Sequence, residues 1–324
     1  MEKRKLGKSG VEVPALGIGT AAWGFPMMGY GRTYTKEDLY AAYWDCLNNG
    51  LNFFDTAESY AGGDSERLLG EFHMRDGRNI MIATKYKAAG DPKEVLPKLK
   101  ASLERLKVSR IDLYQLHYPP QHDKIEKYMD AMAEAVKSGL ARAVGVSNFN
   151  AERMKRAIDR LARHGIPLAS NQVFLNLIER RAEYNGVLDL CKSEDVALIA
   201  FSPMAQGLLT GKFRGKTEKL SFSQRAYFRL QQLDMFRESP VKKSLVSKLV
   251  KTPLALKSSK LELLFRVMED IAKKHNATIP QVALNWLLKT ETNVISIPGV
   301  KHERQSRDII GTLDFTLSDE EYRQ

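Results

Sequence analysis

Three short apolar runs in this 324-residue sequence end on groups that can hold or move a proton. Phe53-Phe54 leads into Asp55, with Tyr60 just beyond; Ile80–Ala83 leads to Thr84 and Lys85; Ile111–Leu116 leads to His117. An ammonium beside a phenol favours the phenolate, so a Lys85–Tyr60 pair predicts a Tyr60 pKa below the ordinary value of about 10. A carboxylate such as Asp55 would keep that lysine charged and in place. A histidine nearby can orient a carbonyl oxygen or relay a proton. Each group alone also fits a plain structural role: a capping Asp55, a solvated Lys85, a satisfied core His117, a packing Tyr60. Four mutually useful groups after successive runs make acid–base chemistry the stronger reading.

The elements that must position them follow an alternating pattern. Eight apolar runs occur, at Ala15–Gly19, Leu51–Phe54, Ile80–Ala83, Ile111–Leu116, Ala143–Val146, Leu168–Ala169, Ala197–Phe201 and Val294–Ile297. Between them lie stripes of helical period, such as Leu39, Tyr43, Cys46 and Leu47, or Ile125, Met129, Met132 and Val136. Near-continuous apolar strands alternating with helices predict a buried parallel sheet, and eight of them favour a closed (β/α)8 TIM barrel over an open sheet. In such a barrel the chemistry sits where the strands end. Lys5–Gly7 and Val11–Pro14, with Lys8-Ser9-Gly10 between, predict an N-terminal β-hairpin plugging the bottom. The spacing breaks once, after the seventh run, where a long insertion at about 211–260 precedes a helix near Leu261. The whole of residues 1–324 reads as one barrel domain.

Composition narrows the classes further. The formal charge is +11, and the insertion alone carries 13 Lys/Arg against Glu218, Asp234 and Glu238. Such a segment suits a polyanionic cofactor, nucleic acid or an acidic membrane surface, or is simply solvated. No recognition helix or aromatic–basic interleaving supports nucleic acid. No run approaches the roughly 20 apolar residues of a membrane span. The start, Met1-Glu2-Lys3-Arg4-Lys5, has no apolar segment behind it, and Cys46 and Cys191 read as reduced thiols, so a cytoplasmic protein is expected, or a plastid stromal one if this is a mature form. Gly17-Ile18-Gly19 is followed by Thr20-Ala21-Ala22, so the dinucleotide fingerprint of open sheets fails. The histidines and cysteines show no metal-ligand spacing, and no metal is expected.

Asp55-Thr-Ala-x-x-Tyr60, Lys85, Leu116-His117, Gly145-Val146-Ser147-Asn148-Phe149 and Ile297-Pro298-Gly299 together resemble the aldo-keto reductase signature set, from about Lys5 to Leu317. The resemblance implies NADPH-dependent reduction of a small aldehyde or ketone. Hydride would pass from nicotinamide C4 to the carbonyl carbon, Tyr60 would donate the proton, Lys85 held by Asp55 would tune it, and His117 would position the substrate oxygen. Ser147, Asn148 and Gln172 would hold the carboxamide. The loop from Phe201 to Lys212 would cover the pyrophosphate, with Ser202, Leu208 and Lys212 as contacts; Lys301 would meet the 2′-phosphate and Gln305 the adenine. Thr20, Arg225 and Gly299 complete the expected cofactor contacts.

Two positions depart from the family pattern. Leu175 falls where a ring would stack on nicotinamide, with Phe174 expected on the other side of its strand, and Ile309 replaces an expected Asn. The sequence stops at Gln324, where relatives usually continue, so either one wall of the pocket is open or the sequence is truncated. Its walls are expected from Trp23, Phe25, Tyr30, Tyr86, Tyr118 and Phe174, whose aromatic character suits apolar or aromatic aldehydes, pyridoxal included. The alternative reading is a regulatory NADPH-binding subunit resembling potassium-channel β subunits. Those carry Asn where this chain has His117, which favours an enzyme.

Overall fold

The computed structural model describes residues 2–212, 259–291 and 293–324. Two short antiparallel strands, β1 (Lys3–Lys5) and β2 (Glu12–Pro14), precede eight parallel ones. The eight are β3 (Ile18–Gly19), β4 (Phe53–Asp55), β5 (Met81–Tyr86), β6 (Ile111–Leu116), β7 (Ala141–Ser147), β8 (Leu168–Phe174), β9 (Ala197–Phe201) and β10 (Val294–Ile297). They pair in chain order. The ring closes between its first and last members: Gly17 N–H donates to Ser296 O at 2.8 Å, and Gly19 N–H donates to Pro298 O at 2.9 Å. A Cβ on Gly17 would stand 2.6 Å from a Phe53 ring carbon, and one on Gly19 3.0 Å from Ile297 O, so closure needs glycine there. The result is a (β/α)8 barrel.

The strand expected from Leu168–Ala169 is the largest surprise of register. It runs seven residues, and its apolar run is short only because Ser170, Asn171 and Gln172 are buried polar groups. Outside the ring, α1 (Lys36–Asn48), α2 (Asp64–Asp76), α3 (Val95–Leu106), α4 (Ile125–Lys137) and α5 (Ala151–Ala162) follow β3 to β7 in turn. Thr35 caps α1 and exchanges hydrogen bonds with Asp38, satisfying two otherwise orphaned N–H groups. The predicted stripe Leu39, Tyr43, Cys46 and Leu47 is the buried face of that helix. After β8 come the short α6 (Arg181–Tyr184) and α7 (Val187–Ser193); then α8 (Ser259–Lys274), α9 (Ile279–Thr290), α10 (Glu303–Ile310) and α11 (Asp319–Arg323). Most of the basic 211–260 segment, Arg225 included, lies outside the described residues. Among the described residues no helix is long and apolar enough to cross a membrane.

Two apolar layers result. The outer one lies between strands and helices. The inner one fills the barrel with Phe53, Ala83, Leu113, Ala143, Ala197, Ile199, Ile295 and Ile297. Leu6, Val11 and Val13 of the hairpin join that inner layer, so the hairpin does close the bottom. Its first strand sits two residues earlier than expected, because the intervening turn extends from Leu6 to Val11 and pairs Leu6 N–H with Val11 O. Arg4 on β1 is 5 % exposed and donates to the carbonyls of Leu288 and Glu291, at 2.6 and 2.9 Å, and of Val294. It thereby satisfies carbonyls at the end of α9 that no intrahelical donor can reach. Replacing Arg4 by Met should lower stability by about 2–4 kcal/mol, read as a lower urea midpoint at an unchanged slope. A midpoint equal to that of the parent chain would show that these carbonyls find water instead.

Candidate active site

Strand alternation decides what reaches the upper barrel. On β5, Ala83 points inward, so Lys85 does too, while Ile82, Thr84 and Tyr86 face the helices. Lys85 is fully buried, yet each of its three N–H bonds has an acceptor: Asp55 Oδ1 at 2.5 Å, Thr56 O at 2.8 Å and the Tyr60 hydroxyl at 3.2 Å. The other Asp55 oxygen accepts from Gln172 Nε2 at 2.8 Å and Gln115 Nε2 at 3.3 Å. A buried charge pair survives only with this degree of hydrogen bonding. Burial pulls Lys85 down, but Asp55 and Tyr60 outweigh it, and its pKa stands above the ordinary lysine value.

Tyr60 behaves otherwise than expected. Desolvation around the phenol raises its pKa, and the Lys85 ammonium offsets only part of that, so the net shift is upward. Tyr60 is therefore a neutral O–H at physiological pH, poised beside a cation that will stabilise the phenolate once the proton has gone. Its ring meets the His117 imidazole edge-on, with centroids 5.5 Å apart. His117 Nδ1 lies 3.3 Å from the Ser59 hydroxyl, and Tyr118 stacks on its other face at 4.6 Å. Burial, Lys85 and Lys87 together push the His117 pKa down to about 3.

The other expected contacts divide. Ser147, Asn148, Gln172, Ser202, Lys212, Gly299, Lys301 and Gln305 all line one long cleft with Asp55, Tyr60 and His117. Asn148, in the left-handed region at φ 62°, donates to His117 O and to the Ser147 hydroxyl, both at 3.0 Å. Ser202 and Gln206 hold the same strained conformation, which clusters at functional loops. Lys301 donates to Met28 O at 3.0 Å, and burial and the charge of Lys212 both lower its pKa. Two ammonium groups that repel each other in a cleft favour an anion between them.

Thr20 does not line the cleft. It is fully buried, with its hydroxyl 2.8 Å from Ser65 Oγ and 3.1 Å from Asp55 O. Leu208 is also absent from the lining, where its neighbours Gln206, Gly207 and Thr210 stand instead. Among the expected pocket walls, Phe25, Tyr118 and Phe174 line the cleft; Trp23, Tyr30 and Tyr86 do not. Trp23 is buried against Phe54 and Phe72, with its indole N–H on Val300 O. Tyr30 lies edge-on to Tyr34. Tyr86 faces outward, toward Tyr128, by the alternation that sends Lys85 inward. The same rule reverses Leu175 and Phe174: Gln172 reaches Asp55 inside the barrel, so Phe174 shares its side and meets Phe201, while Leu175 is buried in the outer layer. Sequence reasoning missed Gln115, Ser59 and Gln206. Gln115 had a signal, since it lies two residues after Leu113 and two before His117, on the side of its strand that alternation turns inward.

The aldo/keto reductase family profile matches residues 15–324. This chain belongs to the aldo/keto reductase family. It is 31% identical over 341 residues to a chloroplastic pyridoxal reductase from Arabidopsis thaliana, covering all of this chain and 84% of that protein. It is 30% identical over 340 residues to an L-glyceraldehyde 3-phosphate reductase of Escherichia coli K12, covering all of this chain and 91% of that one. Among solved structures, a thermostable aldo-keto reductase bound to the inhibitor epalrestat superposes with a TM-score of 0.75 at 29% identity, covering 100% of this chain and 98% of that one. The chain is thus an oxidoreductase by family, with Asp55, Tyr60, Lys85 and His117 grouped as described above.

The depressed His117 pKa has a direct spectroscopic consequence. Its imidazole nitrogens should keep neutral chemical shifts from about pH 5 to 8, where a free histidine titrates near 6.5. A His117 resonance moving with a midpoint near 6.5 would contradict the burial argument.

Proposed function

We propose that this chain reduces aldehydes or ketones to alcohols with NADPH, and that Tyr60 is the general acid. The observation that carries the reading is the Lys85 ammonium, which bridges Asp55 and the Tyr60 hydroxyl inside the cleft opposite a neutral His117. Residues fit the cofactor that family membership implies. Gln206 lines the cleft with both amide atoms buried and unpartnered, groups that a ligand's polar atoms would satisfy. Lys212 and Lys301 supply cations for phosphate, and Ser147, Asn148 and Gln172 line the cleft where a carboxamide would be held.

NADPH held by these residues would supply the hydride for the carbonyl carbon. Tyr60 transfers its proton to the carbonyl oxygen as negative charge develops there. Lys85 stabilises the resulting phenolate from 3.2 Å and is itself held by Asp55. His117, uncharged, can donate from one ring nitrogen to that oxygen while Ser59 engages the other. Reduction needs the protonated phenol, so activity should persist to about pH 10 and fall as pH rises through the raised Tyr60 pKa.

NADPH oxidation followed at 340 nm with 4-nitrobenzaldehyde and pyridoxal tests the reading. Tyr60→Phe should cut kcat by about 10²- to 10⁴-fold while NADPH binding, followed by fluorescence, stays close to that of the parent chain. Unchanged turnover removes Tyr60 as the acid. Lys301→Glu should weaken NADPH by about 10- to 100-fold and NADH far less. Equal losses for both cofactors mean that Lys301 does not read the 2′-phosphate.

A further inference from the structure

The cleft carries more positive charge than the cofactor reading uses. Among the described residues its lining includes Arg32, Lys87, Arg153, Arg181, Lys212, Lys301 and Arg304 against Asp55, Glu179 and Asp308. Asp55 is taken by Lys85, and Glu179 by Arg181 at 2.7 Å. Lys212 and Lys301 belong to the end where Gln305 stands. Arg304 adjoins Gln305 at that end, and Arg32 donates to Pro26 O at 3.2 Å; Lys87 and Arg153 remain, and among the described residues neither side chain has a carboxylate within ion-pair distance.

Their placement follows from the sheet. Lys87 comes directly after β5, His117 directly after β6, and Arg153 lies in the first turn of the helix after β7. These three strands are consecutive neighbours, so Lys87 and the first turn of α5 lie to either side of the strand end that carries His117 and Tyr118. The Lys87 backbone is anchored, because its N–H donates to Glu58 Oε1 at 3.0 Å; its side chain is exposed and lines the cleft. Arg153 is anchored in the same way by its N–H on the capping Asn150. Its sequence neighbour Glu152 is engaged by His122. Tyr118, half exposed between the two, offers an aromatic face to the same space. Cations on fixed backbones, without partner acids among the described residues and in the same cleft as Tyr60 and His117, suit the far end of an anionic substrate.

We propose that the preferred substrate is a carbonyl compound bearing a carboxylate or phosphate, which Lys87, seconded by Arg153, binds at the cleft mouth while the carbonyl faces Tyr60 and His117. This rests on the reductase reading above and adds a charged end to the apolar walls of Phe25, Tyr118 and Phe174. Lys87 already acts electrostatically on this space, being one of the charges that disfavour imidazolium at His117.

The test compares matched aldehydes under saturating NADPH: 4-carboxybenzaldehyde with 4-nitrobenzaldehyde, and glyceraldehyde 3-phosphate with glyceraldehyde. The quantity read is the ratio of kcat/KM, charged over neutral, in the parent chain, Lys87→Glu, Lys87→Arg and Arg153→Ala. Lys87→Glu should lower that ratio by about tenfold, Arg153→Ala by less, and added salt should shrink the parent's ratio. Lys87→Arg, which keeps the charge, should retain it. The aldehyde pair with the larger fall tells carboxylate from phosphate. A ratio unaltered by Lys87→Glu in both pairs overturns the proposal, as does a loss in Lys87→Arg as large as in Lys87→Glu. Absence of turnover on all four aldehydes in the parent chain would overturn the reductase reading itself, and this inference with it.

Discussion

A lysine ammonium buried on the axis of a barrel is the constraint from which the rest of the site follows. Placing such a charge in a low-dielectric interior costs several kcal/mol unless every proton has an acceptor and a counter-charge lies close by. Lys85 meets that condition through three different segments: a carboxylate from β4, a backbone carbonyl just past it and a phenol from the loop beyond. Asp55 in turn draws in Gln115 from β6 and Gln172 from β8. Half the strands of the ring are therefore tied by one polar network, and the inner wall above the apolar plug cannot slip in register without orphaning a charge.

That network also explains why the acid–base properties invert the simplest expectation. Proximity of Lys85 alone would make Tyr60 more acidic, but the dry surroundings that hold the ion pair also penalise a second charge on the phenol. The outcome is a neutral hydroxyl, a neutral imidazole and a single stable cation. Such a set is arranged to give up a proton when charge arrives and not before.

Much of this was legible in the primary structure, and the reasons are physical. Eight apolar runs, the helical stripes and the polar residues at the strand ends are direct imprints of burial with a period of 2 or 3.6. Lys85, Asp55, Tyr60 and His117 stand out together, because four groups that can hold or move a proton follow successive apolar runs although each alone fits a structural role. Pocket walls were harder to read. Tyr86 and Leu175 were misplaced although alternation from Lys85 and Gln172 determines their side, whereas the fates of Trp23, Tyr30 and Thr20 depend on loop packing that has no period. Thr20 is the clearest instance: its hydroxyl is spent on Ser65, a contact between residues 45 apart that nothing local announces.

The closure of the ring has a consequence for how the chain acquires its structure. Arg4 and the carbonyl of Val294 are separated by 290 positions, and β3 must likewise meet β10. Entropic loss for so distant an encounter grows only logarithmically with the intervening length, so it is tolerable once both ends exist. During synthesis they do not coexist. Until the final tenth of the chain emerges, β3 presents an unsatisfied edge and the inner apolar layer lacks one wall, which makes the nascent barrel adhesive to other strands. The short length of β3 and the glycines at its seam limit what such an edge can capture, so the geometry that permits the final closure also guards the growing polypeptide against premature pairing.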